Sequence, residues 1–167
     1  MTTMLPAEAS EAVSPGHARV MAIIASAMAA GLTLMAGLVV WSHIRSIGKI
    51  PTAIQLRSIN ILTACAMLGA VAAIVVSEVL WRTMLRRAQG PLSARVQSAF
   101  IVRFACREGA ALPAMAVAYM AAMDGILRAY PAYWANLIPY GLFLGFLAAH
   151  RPTAAALTAE AQGVLGR

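Results

Sequence analysis

Apolar and polar positions along this chain do not alternate at the scale of single residues; they separate into long apolar runs joined by short charged stretches. Four runs approach the roughly 20 residues that cross about 30 Å of hydrocarbon: Arg19 to Trp41, Ile59 to Trp81, Phe100 to Met123 and Tyr133 to His150. The pattern predicts an all-α chain, one domain over residues 1–167, folded as an integral membrane bundle of four transmembrane helices.

The stretches between runs are short. Ser42 to Ser58 interleaves Ile44, Ile47, Ile50 and Ile54 with His43, Arg45, Lys49 and Arg57, and Pro51 breaks it. That spacing fits a segment lying flat on a membrane surface. Arg82 to Ala99 is basic, and Gly90-Pro91 is expected to end one helical extension and begin another. Thr153 to Arg167 is alanine-rich and is expected to be frayed or loosely helical. None of these can house a soluble catalytic domain. Glu8 and Glu11 precede the first run without a basic leader, so that run is expected to stay as an uncleaved anchor.

Composition agrees with the pattern. The chain is 61% hydrophobic and only 11% charged, against roughly 25% charged residues in soluble domains. Its charge of +7 comes from arginine, Lys49 being the only lysine, a bias that fits a bacterial origin. Those basic residues flank apolar runs, where anionic headgroups and the positive-inside rule account for them, so nucleic acid is not an expected partner. Arg19, Arg82, Arg86, Arg87, Arg95, Arg151 and Arg167 fall on one side, and Arg45, Lys49, Arg57 and Arg128 on the other. The excess puts both termini on the cytoplasmic side of a bacterial inner membrane. Trp41, Tyr130, Tyr133 and Trp134 would then mark the outer boundary and Trp81 the inner one.

Helices in lipid associate through small residues that let backbones approach. Gly37 on the first run, Gly69 and Ala73 on the second, Ala110, Ala114, Ala118 and Ala122 on the third, and the Gly141-x-x-x-Gly145 pair on the fourth form such rows. They suit packing within the bundle or docking onto other transmembrane subunits. Pro113 and Pro139 each remove a backbone hydrogen bond within a run and predict kinks.

Charge inside an apolar run marks the sharpest candidate chemistry. Arg103, Arg107 and Glu108 interrupt the third run. Counted from Asp124 at the outer boundary, Glu108 is about 24 Å along a helix rising about 1.5 Å per residue, about one turn inside the cytoplasmic edge. Glu78 is at a similar level, four residues before Arg82, a spacing that permits a same-face pair. Glu78, Arg82, Arg103, Arg107 and Glu108 are therefore expected to form an intramembrane ion network. It would either fix helix register or leave Glu108 to bind a proton or cation, or to line a quinone or lipid entrance.

Other chemistry is thin. Cys65 and Cys106 fall near opposite ends of their runs, which predicts free thiols. His17, His43 and His150 lie at run ends, and no zinc, haem or nucleophile motif occurs, so no metal or cofactor is expected to be carried by this chain alone. Lipid, quinone or pigment contacts stay open, with His150 the one candidate ligand.

The segment Arg107-Glu108-Gly109-Ala110-Ala111-Leu112, followed by Pro113-Ala114-Met115, resembles the ion-carrying helix of ATP synthase rotor-ring (proteolipid) subunits. The same segment is similar to one in small uncharacterised bacterial four-span proteins. The rotor-ring resemblance implies ion translocation at Glu108. It covers one run of four, and the glycine repeats of the ring family's inner helix do not occur in Arg19 to Trp41. The leading expectation is a non-enzymatic accessory subunit of a larger inner-membrane complex, respiratory or photosynthetic. An ion or small-molecule translocator using Glu108 and a lipid-interacting membrane organiser are the alternatives.

Overall fold

The computed structural model describes residues 12–87 and 89–166. Glu8, Glu11 and Arg167, used above for topology, lie outside the described residues. All regular structure among the described residues is helical: α1 (Pro15–Arg45), α2 (Ala53–Arg87), α3 (Leu92–Met123), a short α4 (Ile126–Ala129), a 3-10 segment (Pro131–Leu137), α5 (Ile138–Ala149) and α6 (Ala154–Leu165).

Local chemistry sets the boundaries. Ser14 caps α1, its hydroxyl accepting from the His17 amide, with Pro15 in the first turn where no donor is missed. Pro91 stands at the N-cap of α3 in an extended conformation, and Gly90 takes φ +103°, so Gly90-Pro91 separates α2 from α3 as expected. At the other end of α3, Gly125 takes φ +76° and packs against the turn after α1. Lys49 closes that corner, its ammonium donating to the Met123 carbonyl at 2.7 Å, where a cation suits the exposed carbonyls of a helix C-terminus.

Three stretches are long and apolar enough to cross a membrane: Pro15–Arg45, Ala53–Arg87 and Pro131–Ala149. They give the chain the character of a membrane protein. The expected third span, Phe100 to Met123, lies within α3 and is not one of them. Arg103, Arg107 and Glu108 lower its hydropathy, and its position explains why that is tolerated. α3 is the central helix, packed against α1, α2, the 3-10 segment and α5, and its buried side chains run from Leu92 to Ala122. A helix covered by protein needs less apolar surface than one that faces lipid.

The outer faces are the apolar ones. Exposed large apolar side chains run from Val20 to Ile44 on α1 and from Ile54 to Val79 on α2. Ile44, Ile47, Ile50 and Ile54 are all exposed, but α1 continues to Arg45 and α2 begins at Ala53, so the linking turn is shorter than the flat surface segment expected.

Three further expectations are corrected. The tail is not frayed: Thr153 caps α6, Leu157 and Ala161 are buried, and Thr158 accepts from the Val13 amide at 2.9 Å, tying α6 to the start of α1. Pro139 does not kink a span. It occupies the first turn of α5, where its missing N–H is no loss, and the fourth run is instead divided between the 3-10 segment and α5. Nor do the glycines bring helices of this chain together. Gly37, Gly69, Gly141 and Gly145 are exposed, and a Cβ at any of them would meet nothing within 4 Å. Close approach is carried by alanines instead, Ala110, Ala114, Ala118 and Ala122 being buried on α3. Ala73 is half-buried on α2.

Gly48, Gly90 and Gly125 all take left-handed φ, and at Gly125 a Cβ would in addition lie 2.8 Å from the Lys49 carbonyl oxygen. Gly125→Ala is expected to cost about 2 kcal/mol, whereas Gly145→Ala is expected to cost nothing; thermal melting of the two variants in detergent checks the contrast.

Candidate functional site

The charged cluster is built around Arg103, whose side chain is 7% exposed. Its guanidinium grips Glu78 of α2 with two 2.9 Å hydrogen bonds, from Nε to Oε1 and from Nη2 to Oε2. That fork-on-carboxylate geometry is available to arginine and not to lysine. Nη1 reaches Glu160 of α6 at 2.5 Å. One turn along α3, Arg107 donates to Glu78 Oε1, also at 2.5 Å. Two carboxylates and two guanidinia therefore balance.

Aromatic rings complete the setting. The Arg103 guanidinium lies 4.9 Å from the Trp81 ring centre and 4.7 Å from that of Phe146, and Arg107 lies 3.6 Å from Phe146. The negative faces of these rings suit cations removed from water. Phe146 in turn stacks on His150 at 4.2 Å, and His150 Nε2 is 4.0 Å from Glu160 Oε1. Its Nδ1 lies 3.2 Å from the Phe146 carbonyl, which takes the Nδ1–H tautomer. A single cluster thus joins α2, α3, α5 and α6.

Of the five residues expected in the network, Glu78, Arg103 and Arg107 come together and two do not. Arg82 is exposed on α2, because both oxygens of Glu78 are drawn across to α3. Glu108 is half-buried and has no hydrogen-bond or ion-pair partner among the described residues. On α3 it borders the face of Ala105 and Leu112, both exposed. Leu112 is also the exposed large apolar side chain of α3 nearest the arginine-rich end, and Val79 is the corresponding one on α2. The cluster and Glu108 therefore sit at the rim of the apolar belt.

Glu160 was not expected from the sequence. Its signal was the spacing Leu157, Ala161 and Val164, a helical apolar face that turns the tail back onto the bundle and carries Glu160 with it. A second polar cluster, at the opposite end, was also not expected. Tyr133 donates to Asn60 at 2.5 Å, and the fully buried Asn136 donates to Thr63 at 3.2 Å and to the Tyr133 carbonyl at 3.0 Å. These bonds fasten the 3-10 segment to α2.

Cavities lie on the helix flanks. One, of about 450 Å³, is an apolar groove between α2 and α3, floored by Gly69 and Gly109 and edged by Cys65, Pro113 and Met120. Pro113 is exposed in this groove, within an α3 that runs on through it. Another, of about 350 Å³, separates α1 from α5. Among the described residues no group of three or more His, Cys, Asp or Glu side chains is placed to hold a metal ion. Comparison with protein-family models, with curated proteins and with solved structures gave no match.

The cluster's arrangement is that of a clamp, so its removal is a stability experiment. Glu78→Gln leaves two largely buried guanidinia short of a counter-charge and is expected to cost about 3 kcal/mol, the low end for such a break because Glu78 is a third exposed. Glu108→Gln, which breaks no bond among the described residues, is expected to stay within about 0.5 kcal/mol of the parent. Denaturation midpoints of the two variants test the distinction.

Proposed function

We propose that this chain is a non-catalytic subunit of a larger membrane assembly, with four transmembrane spans of which α3 is the inner one and both termini lie on the cytoplasmic side. The observation that carries the reading is the set of small-residue faces that nothing among the described residues covers. Gly69 and Gly109 floor an open groove, Gly141 and Gly145 lie on the side of α5 away from buried Phe143 and Phe146, and Gly37 is exposed on α1. In lipid such faces let the helix of another protein come close. Other transmembrane subunits are the partners the reading requires.

The charged cluster supports the same reading. Its carboxylates are committed to arginines, which suits a clamp that holds helices in register rather than a site that takes up and releases an ion. A translocator built on Glu108 draws on one observation, that this carboxylate lacks a partner among the described residues. In the subunit reading the same carboxylate, beside the exposed face of α3, is available to a cationic or hydrogen-bonding group of a neighbour.

The test is native mass spectrometry of the chain extracted from its own membranes in mild detergent. A complex containing further membrane subunits is expected, and Gly69→Leu together with Gly145→Leu is expected to release them without lowering the melting temperature of the isolated chain. A homogeneous complex-free protein would overturn the proposal. Proton or cation flux in proteoliposomes that is abolished by Glu108→Gln would replace it with the translocator.

A further inference from the structure

We infer that the cleft between α1 and α5 is a binding site for an anionic phospholipid, one acyl chain lying in the cleft and the phosphate held by Arg19 and Arg151. Ala22 and Ser26 of α1 and Leu144, Leu147 and Ala148 of α5 form its walls, and Arg151 stands at its mouth. The small side chains of Ala22, Ala25 and Ser26 on α1 leave the space between the two helices unfilled along this length. Farther on, the helices meet where the hydroxyls of Thr33 and Tyr140 lie 3.0 Å apart, and that contact closes the cleft.

The mouth is basic. Arg19 is one turn before Ala22 and shares its helix face with Ala22 and Ser26, so it opens onto the same end of the cleft as Arg151. Both arginines are exposed, and among the described residues no carboxylate pairs with either. The nearby acid, Glu160, is engaged by Arg103. Val20, next to Arg19, is the first exposed large apolar residue of α1, so the two guanidinia stand at the edge of the apolar belt, at headgroup level.

Size selects the occupant. The residues that line the cleft run from Leu144 to Pro152 along α5 and the turn after it, about 12 Å. A helix about 10 Å across would need on the order of 900 Å³ over that length, more than twice the 350 Å³ present. A single hydrocarbon chain is thin enough. The apolar walls suit the chain and the paired guanidinia suit a phosphodiester, for which arginine's planar fork is well matched. The inference needs only that the helices lie in lipid, and it stands apart from whether other subunits dock on the glycine faces.

The experiment uses the full chain, delipidated in detergent, with thermal melting followed during titration with phosphatidylglycerol, phosphatidylcholine or inorganic phosphate. A basic residue at an anionic surface contributes roughly fivefold to binding. Phosphatidylglycerol is therefore expected to act at roughly 25-fold lower concentration than phosphatidylcholine. R19Q/R151Q is expected to remove that preference, and R82Q/R87Q, equally discharged on α2, to retain it. Ala148→Phe, which fills the cleft from an exposed position, is expected to abolish stabilisation by phosphatidylglycerol even if the arginine variant fails to fold. Equal response to the two lipids, a full preference persisting in R19Q/R151Q, or an unchanged response in Ala148→Phe would each overturn the inference. So would inorganic phosphate alone reproducing the shift.

Discussion

The guanidinium of Arg103 holds the arginine-rich end of the bundle together. Three of its N–H groups reach α2 through Glu78 and α6 through Glu160, while its faces meet Trp81 and Phe146. An arginine at this depth would be costly alone, and an acid beside it equally so. Together they balance, and the cost of separating any one of them becomes the restraint that keeps four elements in register. Non-directional apolar contact gives little of this in lipid, because lipid tails are as apolar as the side chains they would replace.

The same logic explains the order of hydrophobicity among the helices. α1 and α2 carry their large apolar side chains outward, so that Leu34, Leu68 and Ile61 are exposed while Ala25, Ala66 and Ala70 are buried. This inverts the arrangement of a water-soluble bundle. α3 is surrounded by its neighbours, and its interior is mainly alanine, with a few larger apolar side chains such as Phe100 and Phe104 and two arginines, Arg95 and Arg103. The helix that looks least like a membrane span by hydropathy is therefore the one on which the others assemble.

Much of this was legible in the sequence, and what was not has identifiable causes. The long helices and the Gly90-Pro91 break follow from apolar run length and turn chemistry, which are local properties. Glu78, Arg103 and Arg107 could be placed at one level by counting rise along two antiparallel helices. Counting rise cannot give rotation, however, and rotation separates Arg107, which faces Glu78, from Glu108, which does not. Glu160 was missed because an alanine-rich tail has no strong propensity signal. Its order comes from Thr158 and the buried Leu157, contacts more than a hundred residues away in sequence. Pro139 was misplaced because the change from 3-10 to α-helix just before it leaves no mark in hydropathy.

Glycine and alanine, interchangeable as small residues in a sequence pattern, are sorted by the fold into different places. The alanines of α3 face inward and let α2 approach; Gly37, Gly69, Gly141 and Gly145 are exposed, and a Cβ at any of them would meet nothing within 4 Å among the described residues. An exposed glycine in a helix costs up to about 1 kcal/mol relative to alanine, and no contact among the described residues offsets it at Gly37, Gly69, Gly141 or Gly145. A neighbouring backbone packed against those positions would offset it, because the missing methyl is what permits the approach. The charged clamp and the bare glycine faces are thus two parts of one design, in which side-chain electrostatics hold the bundle rigid from inside so that its outer surfaces need not be used to hold it.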